Sequence, residues 1–141
     1  MKTLTLPAIL TNLEIFIDFV LKESEQMHFD KNLQAKLRLA TEEIIVNIIS
    51  YAYPDREGDI TVSVGHVLKP SGLLVEISDQ GTPFNPLSKT SPDLTVPIKD
   101  RQIGGLGIYL LKELMDDVRY RYEAGRNVLT FTKYRTDDAS N

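Results

Sequence analysis

The 141-residue chain is predicted to fold as an α+β domain, a two-layer sandwich with a mixed, mostly antiparallel sheet covered on one face by helices. Three observations point there. Two long segments near the start carry apolar residues at helical spacing. Two later pairs of alternating segments are each joined by a short turn, the pattern of β-hairpins. A stretch rich in proline and glycine separates those pairs.

In chain order, KTLTL (2–6) alternates and reads as a short strand. After Pro7, the residues Ile9, Leu13, Phe16, Ile17, Val20 and Leu21 recur at three- and four-residue steps, predicting an amphipathic helix to about Met27. Asp30 is a suitable N-cap for a second helix with the apolar stripe Leu33, Leu37, Ala40, Ile44 and Ile48. Pro54 disfavours helical geometry before it, so this helix is expected to stop near Tyr53. DREG (55–58) reads as a turn, and Ile60, Val62 and Val64 alternate as a half-buried strand. KPSG (69–72) is a hairpin loop and LLVEISD (73–79) the returning strand. Residues 80–104 show little periodicity, and a loop of that length in a compact domain is usually functional or disordered. A helix over 105–116, strands over 118–124 and 128–134 about the turn AGRN (124–127), and a polar tail from 136 complete the order β-α-α-ββ-loop-α-ββ. The reading is one domain, 1–141, with a frayed tail at 136–141.

Composition removes several functions. Hydrophobic residues make up 42% and charged residues 26%, the balance of a globular domain that can bury a core. A net charge of −4 without a basic run argues against nucleic acid as partner. With no cysteine and two histidines, disulfides and thiol catalysis are excluded and a zinc site is disfavoured. The opening residues are too broken for a signal-peptide core, and no apolar stretch is long enough to span a bilayer, so no membrane partner and a cytoplasmic location are expected. The Walker P-loop, the HRD and DFG kinase signatures and the GxSxG turn are all missing.

Three motifs remain. Glu43 and Asn47 lie four apart and project from one helix face, which borders the apolar stripe. An amide oxygen suits Mg²⁺, and a carboxylate one turn earlier can act as general base; the same pair also fits an ordinary helix surface. Asp79-Gln-Gly81-Thr-Pro83-Phe84 follows a strand. Its carboxylate can accept a hydrogen bond from an exocyclic amine, and Gly81 lets a flat base approach the backbone; a plain turn is the alternative. Gly104-Gly105-Leu106-Gly107-Ile108 leads into a helix, either as an anion site made of backbone N–H groups or as a flexible junction.

Together and in this order the motifs resemble the N, G1 and G2 boxes of the GHKL (Bergerat-fold) ATPases, carried by EEIIVNIISYAY, DQGTPFNP and GGLGIYLLKELMD over roughly residues 5–135. The D-x-G-x-P-F form, the single-domain length and the helix order are most similar to the anti-sigma-factor serine kinases. That resemblance implies ATP and Mg²⁺ as cofactors. It implies a sigma factor held away from polymerase, and an antagonist protein phosphorylated on serine. Glu43 would be the catalytic base, Asn47 the Mg²⁺ ligand and Asp79 the adenine-reading carboxylate, with Gly81 beside the base. Gly105, Leu106 and Gly107 would form the phosphate loop, and 84–104 the ATP lid. Of the lid cations Lys89, Lys99 and Arg101, the last is ranked first for phosphate because it lies nearest Gly104. Homodimer pairing through exposed strand edges is also implied. The sequence departs from the family where a Gly-Thr is often found near the final hairpin and this chain has Gly125-Arg126-Asn127, and where Tyr51 replaces a frequent His. Two alternatives stay open at this point: a regulatory module that binds ATP without phosphotransfer, and a detached histidine-kinase-like catalytic domain.

Overall fold

The computed structural model describes residues 1–83 and 111–135. Strand β1 (Lys2–Pro7) leads through a 3₁₀ turn (Leu10–Asn12) into helices α1 (Leu13–Gln26) and α2 (Lys31–Tyr51). Then come β2 (Asp59–Leu68), β3 (Ser71–Asp79), a helical turn over residues 111–114, β4 (Asp117–Glu123) and β5 (Arg126–Tyr134). The five strands form one sheet in the order β1-β2-β3-β5-β4, with every described pairing antiparallel.

Side chains alternate across a strand, so the register decides what each face carries. Ile60, Val62 and Val64 of β2, Leu73, Val75 and Ile77 of β3, and Leu129 and Phe131 of β5 share one face and join the core. Phe16 and Val20 of α1, and Leu37, Ile44 and Ile45 of α2, cover them. The other face is polar: Thr3 meets Ser63, Thr5 meets Thr61, Arg126 donates to Ser78, and Arg121 pairs with Glu76. The sequence reading of an α+β sandwich with helices on one side holds. Among the described residues no helix is long and apolar enough to cross a membrane.

Helix ends follow local chemistry. Asp30 caps α2 by accepting from the Leu33 N–H at 2.8 Å, as predicted. α1 ends with His28 at φ 61, and the N–H of Phe29 returns to the Ser24 carbonyl at 3.0 Å. His28 therefore fills the left-handed position that usually takes glycine, a structural role. Three helix ends differ from expectation, the last being the helix expected to reach residue 116, which ends at 114. The first helix starts later, because Leu10–Asn12 form the 3₁₀ turn. The second stops at Tyr51, two residues early, because the Ala52 carbonyl accepts from the Thr82 N–H at 3.1 Å and draws the chain toward β3. The β4–β5 hairpin turns on Ala124 (φ 52) and Gly125 (φ 77), the two positive-φ positions of a type I′ turn.

Glu23 joins α1 to the sheet. Only 5% exposed, it accepts from Lys2 at 2.6 Å and lies 3.4 Å from His66 Nε2. The Lys2 hydrogen bond holds its carboxyl below the usual range; burial opposes this and His66 adds to it. A depressed carboxyl pKa contributes stability above the unfolded value and loses it as pH falls through the folded value. Urea melts at stepped pH should therefore show wild type and Glu23→Gln converging as pH falls through the carboxylate range. A gap that stayed constant with pH would refute the ionic role.

Candidate functional site

The last turns of α2 and the ends of β3 and β5 build the site. On α2, Asn47 Nδ2 donates to the Glu43 carbonyl at 2.8 Å and to Glu43 Oε1 at 3.3 Å. Both side chains are half-buried, which agrees with a face bordering the apolar stripe. The bonds orient the amide: its nitrogen is held by Glu43, and its oxygen stays an acceptor suited to a hard cation. Burial pushes the Glu43 carboxyl above its ordinary range; the Asn47 bond pulls it back and the charge of Glu42 pushes it up again. A carboxylate with raised proton affinity is a better general base.

Asp79 ends β3 and is 4% exposed. Its Oδ1 accepts twice, from the Gly81 N–H at 2.8 Å and from Asn127 Nδ2 at 3.0 Å. Among the described residues Oδ2 takes no hydrogen bond. A buried carboxylate with one oxygen saturated and a second that lacks a donor among the described residues is a fitting acceptor for an exocyclic amine, so these residues suit an adenine nucleotide.

Gly81 has a further constraint that sequence did not reveal. A Cβ there would lie 2.3 Å from the Ala52 carbonyl oxygen and 2.6 Å from the Ala52 Cβ. Glycine thus lets β3 close onto the end of α2. Ala52 is five residues past Asn47, about 7.5 Å along a helix, so Asn47 lies about that far along α2 from the Gly81 contact. Tyr53 tightens the same junction: its hydroxyl donates to the Asp59 carbonyl at 2.6 Å and accepts from the Gln80 N–H at 2.8 Å. Arg56 stacks on its ring, 5.6 Å from the centroid, and bonds the Gln80 carbonyl. A cleft of about 650 Å³ lies beside this junction, lined by Ala52, Arg56, Gln80, Gly81, Thr82 and Tyr122 among others. Glu43, Asn47 and Asp79 do not line it, so the candidate site rests on those three rather than on the cleft.

The structure therefore joins Asp79 to Gly81 and Glu43 to Asn47. Arg101, Gly105, Leu106 and Gly107, with Lys89, Lys99 and the remaining lid residues 84–104, lie outside the described residues. Sequence reasoning gave Asn127 and Tyr120 no part in the site. Asn127 stands opposite Asp79 in the β3–β5 ladder, and Tyr120 reaches the Asn127 Oδ1 from β4. The available signal was the register: the turn is the two residues 124–125 rather than the expected 124–127, and counting forward from it sets Asn127 at the mouth of β5.

Comparison with known proteins then decides the family. The model of the histidine kinase-like ATPase domain matches residues 6–133. The chain belongs to that family. Curated relatives of this ATPase domain include the serine-protein kinase RsbW of Bacillus mycoides, 33% identical over 115 residues. That alignment covers 79% of this chain and 70% of the relative. The RsbW of Bacillus cereus strain AH820 is 34% identical over 102 residues, covering 70% of this chain and 62% of the relative. This ATPase domain thus groups with the RsbW serine-protein kinases while spanning about two thirds of their length.

Solved structures agree on the fold. The RsbU and RsbW domains of Rv1364c from Mycobacterium tuberculosis superpose with TM-score 0.61 at 12% identity, over 95% of this chain and 32% of that one. The catalytic domain of the histidine kinase ThkA gives 0.55 at 13% identity, over 96% and 98%. Membership of this kinase-like ATPase family implies use of a nucleotide.

Proposed function

We propose that this chain is an ATP-dependent serine protein kinase and anti-sigma factor. It would sequester a sigma factor and phosphorylate a serine on the antagonist that releases it. The observation that carries the nucleotide half is Asp79, buried at the end of β3 with one oxygen saturated by the Gly81 N–H and Asn127, in a chain one third identical to RsbW kinases. The protein half rests on that similarity.

In this reading Asp79 Oδ2 accepts from the adenine amine. Glu43 takes the proton of the attacking serine hydroxyl as its oxygen bonds the γ-phosphorus and the bond to the ADP oxygen breaks. Asn47 would hold Mg²⁺ through its side-chain amide, and the ion would supply charge neutralisation at the phosphates. Phosphoryl transfer depends mainly on positioning and charge neutralisation, so few side chains need react. Gly105, Leu106 and Gly107 offer backbone N–H groups to the phosphates, and Arg101 a cation. Residues 1–141 act as one ATP-binding kinase domain in the cytoplasm, where sigma factors work. Among the described residues β1 and β4 are the outer strands of the sheet, and homodimer pairing would use such an edge.

Thermal melting with and without Mg·ATP tests the nucleotide site. A ligand at about 100 times its dissociation constant adds about 2.7 kcal/mol, a shift of several degrees for a domain of this size. Wild type should shift and Asn47→Ala should not. No wild-type shift at millimolar Mg·ATP would overturn the proposal.

A further inference from the structure

We infer that Tyr53 is a positioning residue that sets the spacing between the two ends of the bound nucleotide, the base end at Asp79 and Gly81 and the metal end at Asn47. The inference rests on the ATP-binding reading and adds to it what keeps those ends at a set distance.

The segment that follows α2 grips the loop that follows β3 at several points. The Ala52 carbonyl accepts from the Thr82 N–H at 3.1 Å, and the Tyr53 hydroxyl accepts from the Gln80 N–H at 2.8 Å. Arg56 bonds the Gln80 carbonyl. The Gly81 N–H between them goes instead to Asp79 Oδ1, at 2.8 Å. Gln80 stands between the two base-end residues, and both of its backbone groups are held from the α2 side.

Tyr53 holds its end from a fixed seat. A hydroxyl has one proton to give, and that proton goes to the Asp59 carbonyl at 2.6 Å, where β2 starts. The ring packs on the core and lies against Gly58, where a Cβ would stand 2.0 Å from the ring carbon Cε1. The Arg56 guanidinium lies 5.6 Å from the ring centroid. A ring so enclosed cannot follow the loop if the loop shifts, so the hydroxyl ties residue 80 to α2 as well as to the sheet.

Asn47 rides on the same helix, about 7.5 Å before Ala52. A ligand that engages both ends meets whatever spacing this clamp sets. The two ends differ in what they tolerate. A hydrogen bond to a base accepts a range of distances and angles, whereas Mg²⁺ demands near-octahedral coordination. Slack in the clamp is therefore felt where the metal binds, although Tyr53 touches only the base loop.

Dissociation constants for ATP with Mg²⁺ and for ATP in EDTA test this on the 141-residue chain, with melts to confirm that each variant is folded. Tyr53→Phe keeps the ring and removes the two hydroxyl bonds. It should weaken Mg·ATP about tenfold, the scale of those bonds, and metal-free ATP by no more than about twofold. Gly58→Ala, which pushes the ring off its seat, should shrink the advantage conferred by Mg²⁺ in the same way. Equal losses with and without Mg²⁺ would make Tyr53 a local brace and overturn the inference, as would unchanged affinities in both conditions. A wild type that bound no Mg·ATP would overturn the ATP-binding reading, and this role with it.

Discussion

Glu43→Gln should lower phosphotransfer to an antagonist serine by about 10²- to 10⁴-fold, the range for losing a positioned general base, while leaving ATP affinity nearly unchanged. Glutamine keeps the shape and an acceptor for Asn47 Nδ2, so the cation-binding amide should hold its orientation. The pH profile is a second mark. Because burial raises the Glu43 pKa, wild-type rate should fall on acidification with its midpoint above the ordinary carboxylate range. Stability should move the other way. A carboxyl whose folded pKa is raised binds its proton more tightly when folded, so its ionisation costs stability as pH rises from the unfolded value through the folded one. Glu43→Gln removes that cost and should melt at the wild-type temperature or higher at neutral pH. Single-turnover transfer of ³²P from ATP, with a parallel melt, reads both. Transfer at the wild-type rate by the variant would remove Glu43 from the chemistry.

The second large effect belongs to Gly81. In Gly81→Ala the new Cβ meets the Ala52 carbonyl oxygen at 2.3 Å and its carbonyl carbon at 2.7 Å. These are backbone atoms, which cannot rotate aside as a side chain can. The end of α2 must move off β3, and the Thr82–Ala52 hydrogen bond goes with it. Overpacking of this kind costs about 1–3 kcal/mol, several degrees of melting temperature. Since the Gly81 N–H also anchors Asp79, ATP affinity should fall as well. Gly65→Ala is the control: its Cβ would meet the flexible side chain of Met1, nearest at 3.0 Å, and should be close to neutral. Equal melting temperatures and equal ATP affinities for the two variants would show that the α2–β3 contact is looser than the structure has it.

Much of this was legible in the sequence because local patterns and tertiary needs agree. Strand alternation at Ile60, Val62 and Val64 marked the core face of β2, and Asp30 marked the start of α2 by its capping chemistry. Glu43 and Asn47 could be paired from their spacing alone, since helix geometry fixes which residues face each other. The contacts that define the Asp79 environment were another matter. Asn127 is 48 residues from its partner, and only the β3–β5 register brings them together. The reason for Gly81 lies in Ala52, which no local rule connects to it. The early end of α2 has the same origin: a long-range hydrogen bond overrode the boundary that Pro54 suggested.

Strand β5 also fastens the other side of the domain. Lys133, buried, donates to the Leu114 carbonyl at 2.8 Å where the helical turn over 111–114 ends, and Tyr134 N–H donates to Asp116 Oδ2 at 2.7 Å. Asn127 and Lys133 are an even number of residues apart, so both project from the core side of one strand. The two-residue turn at Ala124–Gly125 sets that parity. One inserted residue there that shifted β5 would carry Asn127 and Lys133 to the polar face together, and the base contact and the helix tether would be lost in one event. Loop length is thus a functional variable at this hairpin: its tolerance to insertion should be far below that of an ordinary surface turn, although no residue in the turn itself touches Asp79.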